Sequence, residues 1–88
     1  SPEVTNTLIQ VAVDKPAVDP EAAAAYARLT AREREVAVLM ADGLTNAQIG
    51  TRLGVSMASV KAHLSTIFAK LGVDNRVSAA MRVRAAGG

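Results

Sequence analysis

The sequence predicts an all-α fold, and three observations carry that prediction. Half of the 88 residues are hydrophobic, enough for a core, yet only Tyr26 and Phe68 are aromatic. Ala is abundant, and Ala and Leu favour helix and pack closely. The alternating β-branched and aromatic pattern of a sandwich or barrel is missing. From Leu29 onward, helix-starting and helix-stopping residues recur at regular intervals. The length fits one small domain, or one domain with a tail.

The elements follow in order. Ser1-Pro2-Glu3 reads as a helix start: Ser as N-cap, Pro at the first helical position, Glu in the first turn. Val4, Leu8, Ile9 and Val11 supply one apolar stripe for this short leader helix. Alone in water so short a helix is marginal. Asp14 to Pro20, with two prolines, reads as a linker. Glu21 to Arg28 is Ala-rich and helix-compatible, with Tyr26 as its large anchor. Residues 1–28 are thus assigned to a leader helix and interdomain linker, and residues 29–88 to a compact helical domain of four helices.

In that domain Thr30-Ala31-Arg32-Glu33 is a capping box and Gly43 a stop, which gives a helix over about 31–42 with Val36, Leu39 and Met40 inward. Thr45-Asn46-Ala47-Gln48 is a second capping box. Leu44 and Ile49 form its hydrophobic staple, and this short helix ends before Gly54. Ser56 caps the next helix, stapled by Val55 and Val60, which runs to about Leu71 and stops at Gly72. Asp74 or Asn75 caps the last helix, which reaches about Ala85 before Gly87-Gly88.

Charge is unevenly spread along the chain. Over residues 1–28, Lys15 and Arg28 face Glu3, Asp14, Asp19 and Glu21, a net of −2. Over residues 45–88, Arg52, Lys61, Lys70, Arg76, Arg82 and Arg84 face Asp74 alone, a net of +5. A basic second half fits an anionic partner, or simply a solvated basic surface. There is no Cys and a single His, so disulfides, thiolate catalysis and Cys or multi-His metal sites are excluded. No glycine-rich phosphate loop or nucleophile–base pair is present. Glu33 reads as a cap, and Glu35 as a solvent or domain-packing charge, rather than as a catalytic pair. No enzyme, cofactor or metal is therefore expected. No apolar run approaches the length of a membrane span and no signal peptide is visible, so a cytoplasmic protein is expected. The chain starts at Ser1 rather than Met, as an excised or processed piece would.

The two middle helices are joined by only Gly54-Val55-Ser56, a turn short enough to force a steep crossing, as in a helix-turn-helix. Gly50 permits close approach, Gly54 permits positive φ, and Val60 plugs the crossing. Projected at about 100° per residue, Met57, Val60, Leu64, Ile67, Phe68 and Leu71 share one arc of the helix that Ser56 starts. Ala58, Lys61, Ala62, Ser65, Thr66 and Ala69 occupy the opposite arc, and the helix contains no Asp or Glu. A helix this slim and free of negative charge suits the major groove of duplex DNA. An ordinary solvated face normally mixes Glu with Lys.

Leu29-Thr30-Ala31-Arg32-Glu33-Arg34-Glu35-Val36, Gly43-Leu44-Thr45-Asn46, Ser56-Met57-Ala58-Ser59-Val60-Lys61-Ala62-His63, Lys70-Leu71-Gly72-Val73 and Asn75-Arg76 follow one another in an order that resembles the LuxR/NarL-type (GerE-like) helix-turn-helix domain. The resemblance covers about residues 29–85. Ser1-Pro2-Glu3-Val4 with Leu8-Ile9 is similar to the segment that follows the receiver domain in NarL-type response regulators. The resemblance implies a sequence-specific DNA-binding module of a transcriptional regulator, controlled by an N-terminal receiver. It implies base contacts from Lys61, Ala62 and Ser65, flanked by Ala58. Asn46, Ser56, Ser59, His63 and Lys70 are implied near phosphates or at helix ends that approach them. It also implies a weak homodimer through the last helix. Val77 and Met81 lie on one face of that helix, while Ala79, Ala80 and Val83 spread round to another. The candidate seam residues are Val77, Ala80, Val83 and Arg84. Some positions depart from the common pattern: Gln48 stands where Glu is frequent, Gly50 where Ala is, and Ser59 where Thr is. The short Ala62 and Ser65 leave much of any base readout to Lys61. Arg76 is a candidate to hydrogen-bond the ends of neighbouring helices. The alternative function is a helical interaction or dimerisation module that binds DNA weakly.

Overall fold

A computed structural model describes residues 18–88. The leader helix with Val4, Leu8, Ile9 and Val11, and most of the linker, lie outside the described residues. Those described form five helices and no strand: α1 (Pro20–Ala27), α2 (Ala31–Ala41), α3 (Asn46–Leu53), α4 (Met57–Leu71) and α5 (Arg76–Ala85). The last four match the spans that the caps predict.

Each start is held by the side chain that the sequence offers. Thr30 Oγ1 accepts from Glu33 N at 3.1 Å while Glu33 Oε1 accepts from Thr30 N at 2.8 Å. The same reciprocal pair joins Thr45 and Gln48, at 3.2 and 2.8 Å. Gln48 therefore closes the box as a Glu would. Ser56 Oγ accepts from Ser59 N at 3.1 Å, and Asn75 Oδ1 accepts from Ser78 N at 2.8 Å, so Asn75 rather than Asp74 is the cap. Gly54 and Gly72 end α3 and α4 with φ of 70° and 71°, a left-handed conformation that costs glycine little.

The core is one cluster to which all five helices contribute: Ala25 and Leu29, then Val36, Ala37 and Met40, then Ile49, then Val60, Leu64, Ile67 and Leu71, then Ala79 and Val83. Full burial of each large aliphatic side chain contributes roughly 1.5–3 kcal/mol relative to exposure. Leu39, predicted inward, lies at the core margin, half-buried. Met57 departs from the predicted apolar arc and is 48% exposed. It is the first residue of α4 and borders a surface notch beside Leu44 and Thr45.

Residues 20–27, mostly read as Ala-rich and helix-compatible, form α1 and pack against the other helices. Asp19 caps α1, its Oδ1 accepting from Glu21 N at 2.9 Å, and Asp19 N donates to Ala85 O at 2.9 Å. Ala22 and Ala25 are buried, and α1 lies against α4 and α5. This packing needs none of the large apolar residues that announce a core helix, because small Ala side chains allow close approach. Among the described residues no helix is long and apolar enough to cross a membrane.

Candidate nucleic-acid interface

The turn between α3 and α4 sets the direction in which α4 presents its surface. Val55 N donates to Gly50 O at 2.9 Å, closing the turn on the last turn of α3. A Cβ built on Gly50 would lie 2.7 Å from Val55 O and 3.7 Å from Val60 Cγ2. Gly50 and Val60 are both fully buried at this crossing. The glycine that costs α3 helix propensity is what lets the turn close so tightly.

With Val60, Leu64, Ile67 and Leu71 turned into the core, the other side of α4 faces solvent. Ala58, Ser59, Lys61, Ala62, Ser65, Thr66 and Ala69 are all exposed, as is Ser56 at the cap. Thr66 Oγ1 bonds back to Ala62 O at 3.3 Å, so its hydroxyl hugs the helix and the face stays low. Ser56 has part of its hydrogen-bonding capacity committed: besides capping Ser59 N, its Oγ lies 3.2 Å from Ser59 Oγ. His63 is half-buried at the edge of the core arc.

Lys70 is not brought to this face. It lies nine residues after Lys61, half a turn round the helix and roughly 13 Å further along it. Its Nζ donates to Glu33 Oε1 at 2.7 Å and approaches Arg28 O at 3.5 Å, while Arg28 Nη2 reaches Lys70 O at 3.4 Å. These bonds tie the C-terminal end of α4 to the N-terminus of α2 through a residue expected near phosphates or at a helix end that approaches them. Glu33 is 6% exposed. The Lys70 hydrogen bond, followed by the one from Thr30 N, holds its carboxyl below the ordinary glutamate range, against the opposing effect of burial. Nothing local in sequence links Glu33 to Lys70.

Asn46 sits at the first position of α3 and is half-buried. Its Oδ1 accepts from Arg76 Nη1 at 2.7 Å, and Arg76 Nη2 donates to Leu44 O at 2.6 Å. Arg76 thus bonds the ends of neighbouring helices, as its sequence position suggests. Asn46, Lys61, Ser65, Phe68 and Arg76 line a common notch of about 350 Å³.

The seam candidates divide. Val83 is fully buried in the core and is unavailable to a second chain. Ala80 is half-buried against that core. Arg84 is exposed but ion-paired to Asp42 Oδ1, with Nη2 also reaching Ala41 O at 3.3 Å, so it ties α5 to the end of α2. Val77, 72% exposed, and Met81, 67% exposed, stand one turn apart and form the outward apolar stripe. Sequence alone left the two faces of this helix undecided because both are apolar.

The regulatory protein family described as "Bacterial regulatory proteins, luxR family" matches residues 27–83. The chain is 53% identical over 51 residues to the probable transcriptional regulatory protein SgaR of Hyphomicrobium methylovorum, covering 58% of this chain and 24% of that protein. It is 45% identical over 53 residues to the putative HTH-type transcriptional regulator YhjB of Escherichia coli, covering 60% and 26%. It is 41% identical over 61 residues to the transcriptional regulatory protein LiaR of Bacillus subtilis, covering 69% and 29%. The matched segments span about a quarter of these relatives' length.

Proposed function

The chain belongs to the luxR family of bacterial regulatory proteins, and from that premise we propose that α4 enters the major groove of duplex DNA and reads it for a transcriptional regulator. The observation that carries this reading is the exposed face of α4. It is slim, carries Lys61, has no carboxylate, and is held proud of the core by the Gly50–Val60 crossing. Lys61 supplies the long donor for a base edge or phosphate, with Ala58, Ala62 and Ser65 beside it permitting close approach. Asn46, Ser56 and Ser59 sit at the starts of α3 and α4, where backbone N–H groups and side-chain donors suit phosphate oxygens. His63 flanks the same face. The test is a salt titration of binding to duplex DNA. Affinity should fall steeply with salt, and a flat response would favour an interaction module instead.

The outward stripe of Val77 and Met81 supports a weak homodimer through α5. Two-fold operators place half-sites about one helical turn apart, so DNA itself promotes the pairing. The similarity of Ser1-Pro2-Glu3-Val4 to the segment after a receiver supports control by a phosphorylated receiver domain in the full-length protein. In that protein the receiver holds α4 and α5 in an inhibitory contact until it is phosphorylated. This chain alone should then bind DNA without phosphorylation. The idea fails if the unphosphorylated full-length protein binds as tightly as this chain.

A further inference from the structure

We propose that Arg76 is a positioning residue for DNA binding: it takes the side-chain oxygen of Asn46 and so turns the two amide N–H donors of Asn46 toward the phosphate backbone at the start of α3. The inference rests on the DNA-binding reading above and deepens it.

An arginine side chain only donates hydrogen bonds, whereas an Asn amide presents an acceptor on one side and two donors on the other. Rotation of the amide by half a turn exchanges the two sides at little intrinsic cost. A phosphate oxygen only accepts, so one orientation binds it and the other repels it. Arg76 breaks this symmetry. Its Nη1 lies 2.7 Å from Asn46 Oδ1, and a flipped amide would point its own N–H groups at the guanidinium, donor against donor. The second arm keeps the first in place. Nη2 is bonded at 2.6 Å to the carbonyl oxygen of Leu44, just before the Thr45 cap, so the planar fork spans the helix entrance and cannot swing away from Asn46 without losing both bonds.

The surroundings suit an acceptor-only anion. Arg76 bonds two neutral oxygens and has no carboxylate partner among the described residues, so its charge is uncompensated. The notch that it shares with Asn46 also receives Lys61 and Ser65. A phosphate seated at this notch would meet two cationic side chains, Arg76 and Lys61, beside Asn46. Because Arg76 is the first residue of α5, this contact is set by the helix that bears the Val77–Met81 stripe.

The test uses the 88-residue chain and a labelled mixed-sequence DNA duplex at low salt, since a phosphate contact needs no particular operator. Asn46→Asp keeps an acceptor for Arg76 but removes the donors. It should leave the thermal midpoint equal to or above that of the wild type while weakening duplex binding several-fold. Asn46→Ala and Arg76→Met should each weaken binding, and the double variant should be no weaker than the worse single variant, because both act through one contact. Arg76→Lys, with one ammonium in place of a fork, should restore only part of the loss. The proposal is overturned if Asn46→Asp binds as the wild type does, or if the double variant shows the full product of the two single losses. Failure of the wild type to bind any duplex would instead overturn the DNA-binding reading itself, and this inference with it.

Discussion

Lys61 is the one long cation on the exposed arc of α4, and no carboxylate among the described residues pairs with it. Lys61→Ala should cost about 1–3 kcal/mol of specific DNA binding, measured by titration against the operator at moderate salt. Equal affinity of variant and wild type would remove Lys61 from the reading set. Glu33 has a different pH signature. Its carboxyl is held below its ordinary range, so the ion pair with Lys70 stabilises the fold above the unfolded-state pKa of a glutamate. That stabilisation is lost as pH falls through the lower, folded-state value. Denaturation curves across the acid range should therefore show wild type losing more stability than Glu33→Gln, while at neutral pH Glu33→Gln is the less stable of the two. Parallel curves would show that the pair contributes nothing. Much at this scale was readable in the sequence, since a cap residue acts on its own neighbours. The pairing of Lys70 with Glu33 was not readable, because the two residues lie 37 positions apart.

At the scale of the helices, the crossing of α3 on α4 depends on Gly50. Alanine would recover up to about 1 kcal/mol of helix propensity. Its Cβ, however, would stand 2.7 Å from Val55 O, so the turn would have to yield. Valine adds two more methyl groups and cannot be relieved so easily. Gly50→Val should cost about 1–3 kcal/mol of stability, read from urea denaturation, and should weaken DNA binding through the altered direction of α4. Unchanged stability would show that the turn is soft. In α5 the two valines should behave oppositely. Val83→Asp puts a charge into the core and should unfold the domain, since an unpaired buried carboxylate is severely unfavourable. Val77→Asp should leave the thermal midpoint nearly unchanged and abolish cooperative operator binding. Intact cooperativity in a folded Val77→Asp variant would exclude this stripe as the seam.

Over the whole molecule, two of the six basic residues that make the second half look uniformly cationic are spoken for. Lys70 meets Glu33 and Arg84 meets Asp42, which leaves Arg52, Lys61, Arg76 and Arg82 without carboxylate partners among the described residues. Charge counted along the chain therefore overstates what faces a ligand. If each subunit makes about 3–5 phosphate contacts, a bound pair makes about 6–10, and the slope of log affinity against log salt should fall near −5 to −9. A slope near half of that at all protein concentrations would mean that the protein binds DNA singly.

The sequence by itself determined the helical class, the bounds of the last four helices and the short turn between α3 and α4, because caps, glycine stops and apolar spacing act within a few residues. It also determined which arc of α4 is polar, since Val60, Leu64, Ile67 and Leu71 mark the inward side unambiguously. Only the tertiary structure decided the rest. It packed α1 onto α4 and α5 through two small alanines, chose Val83 over Val77 for the core of a helix with apolar residues on more than one side, and paired Lys70 with Glu33. It also joined Arg76 to Asn46 across 30 residues. Each of these turns on which groups lie close in space after the chain has folded, and local patterning carries no record of that distance.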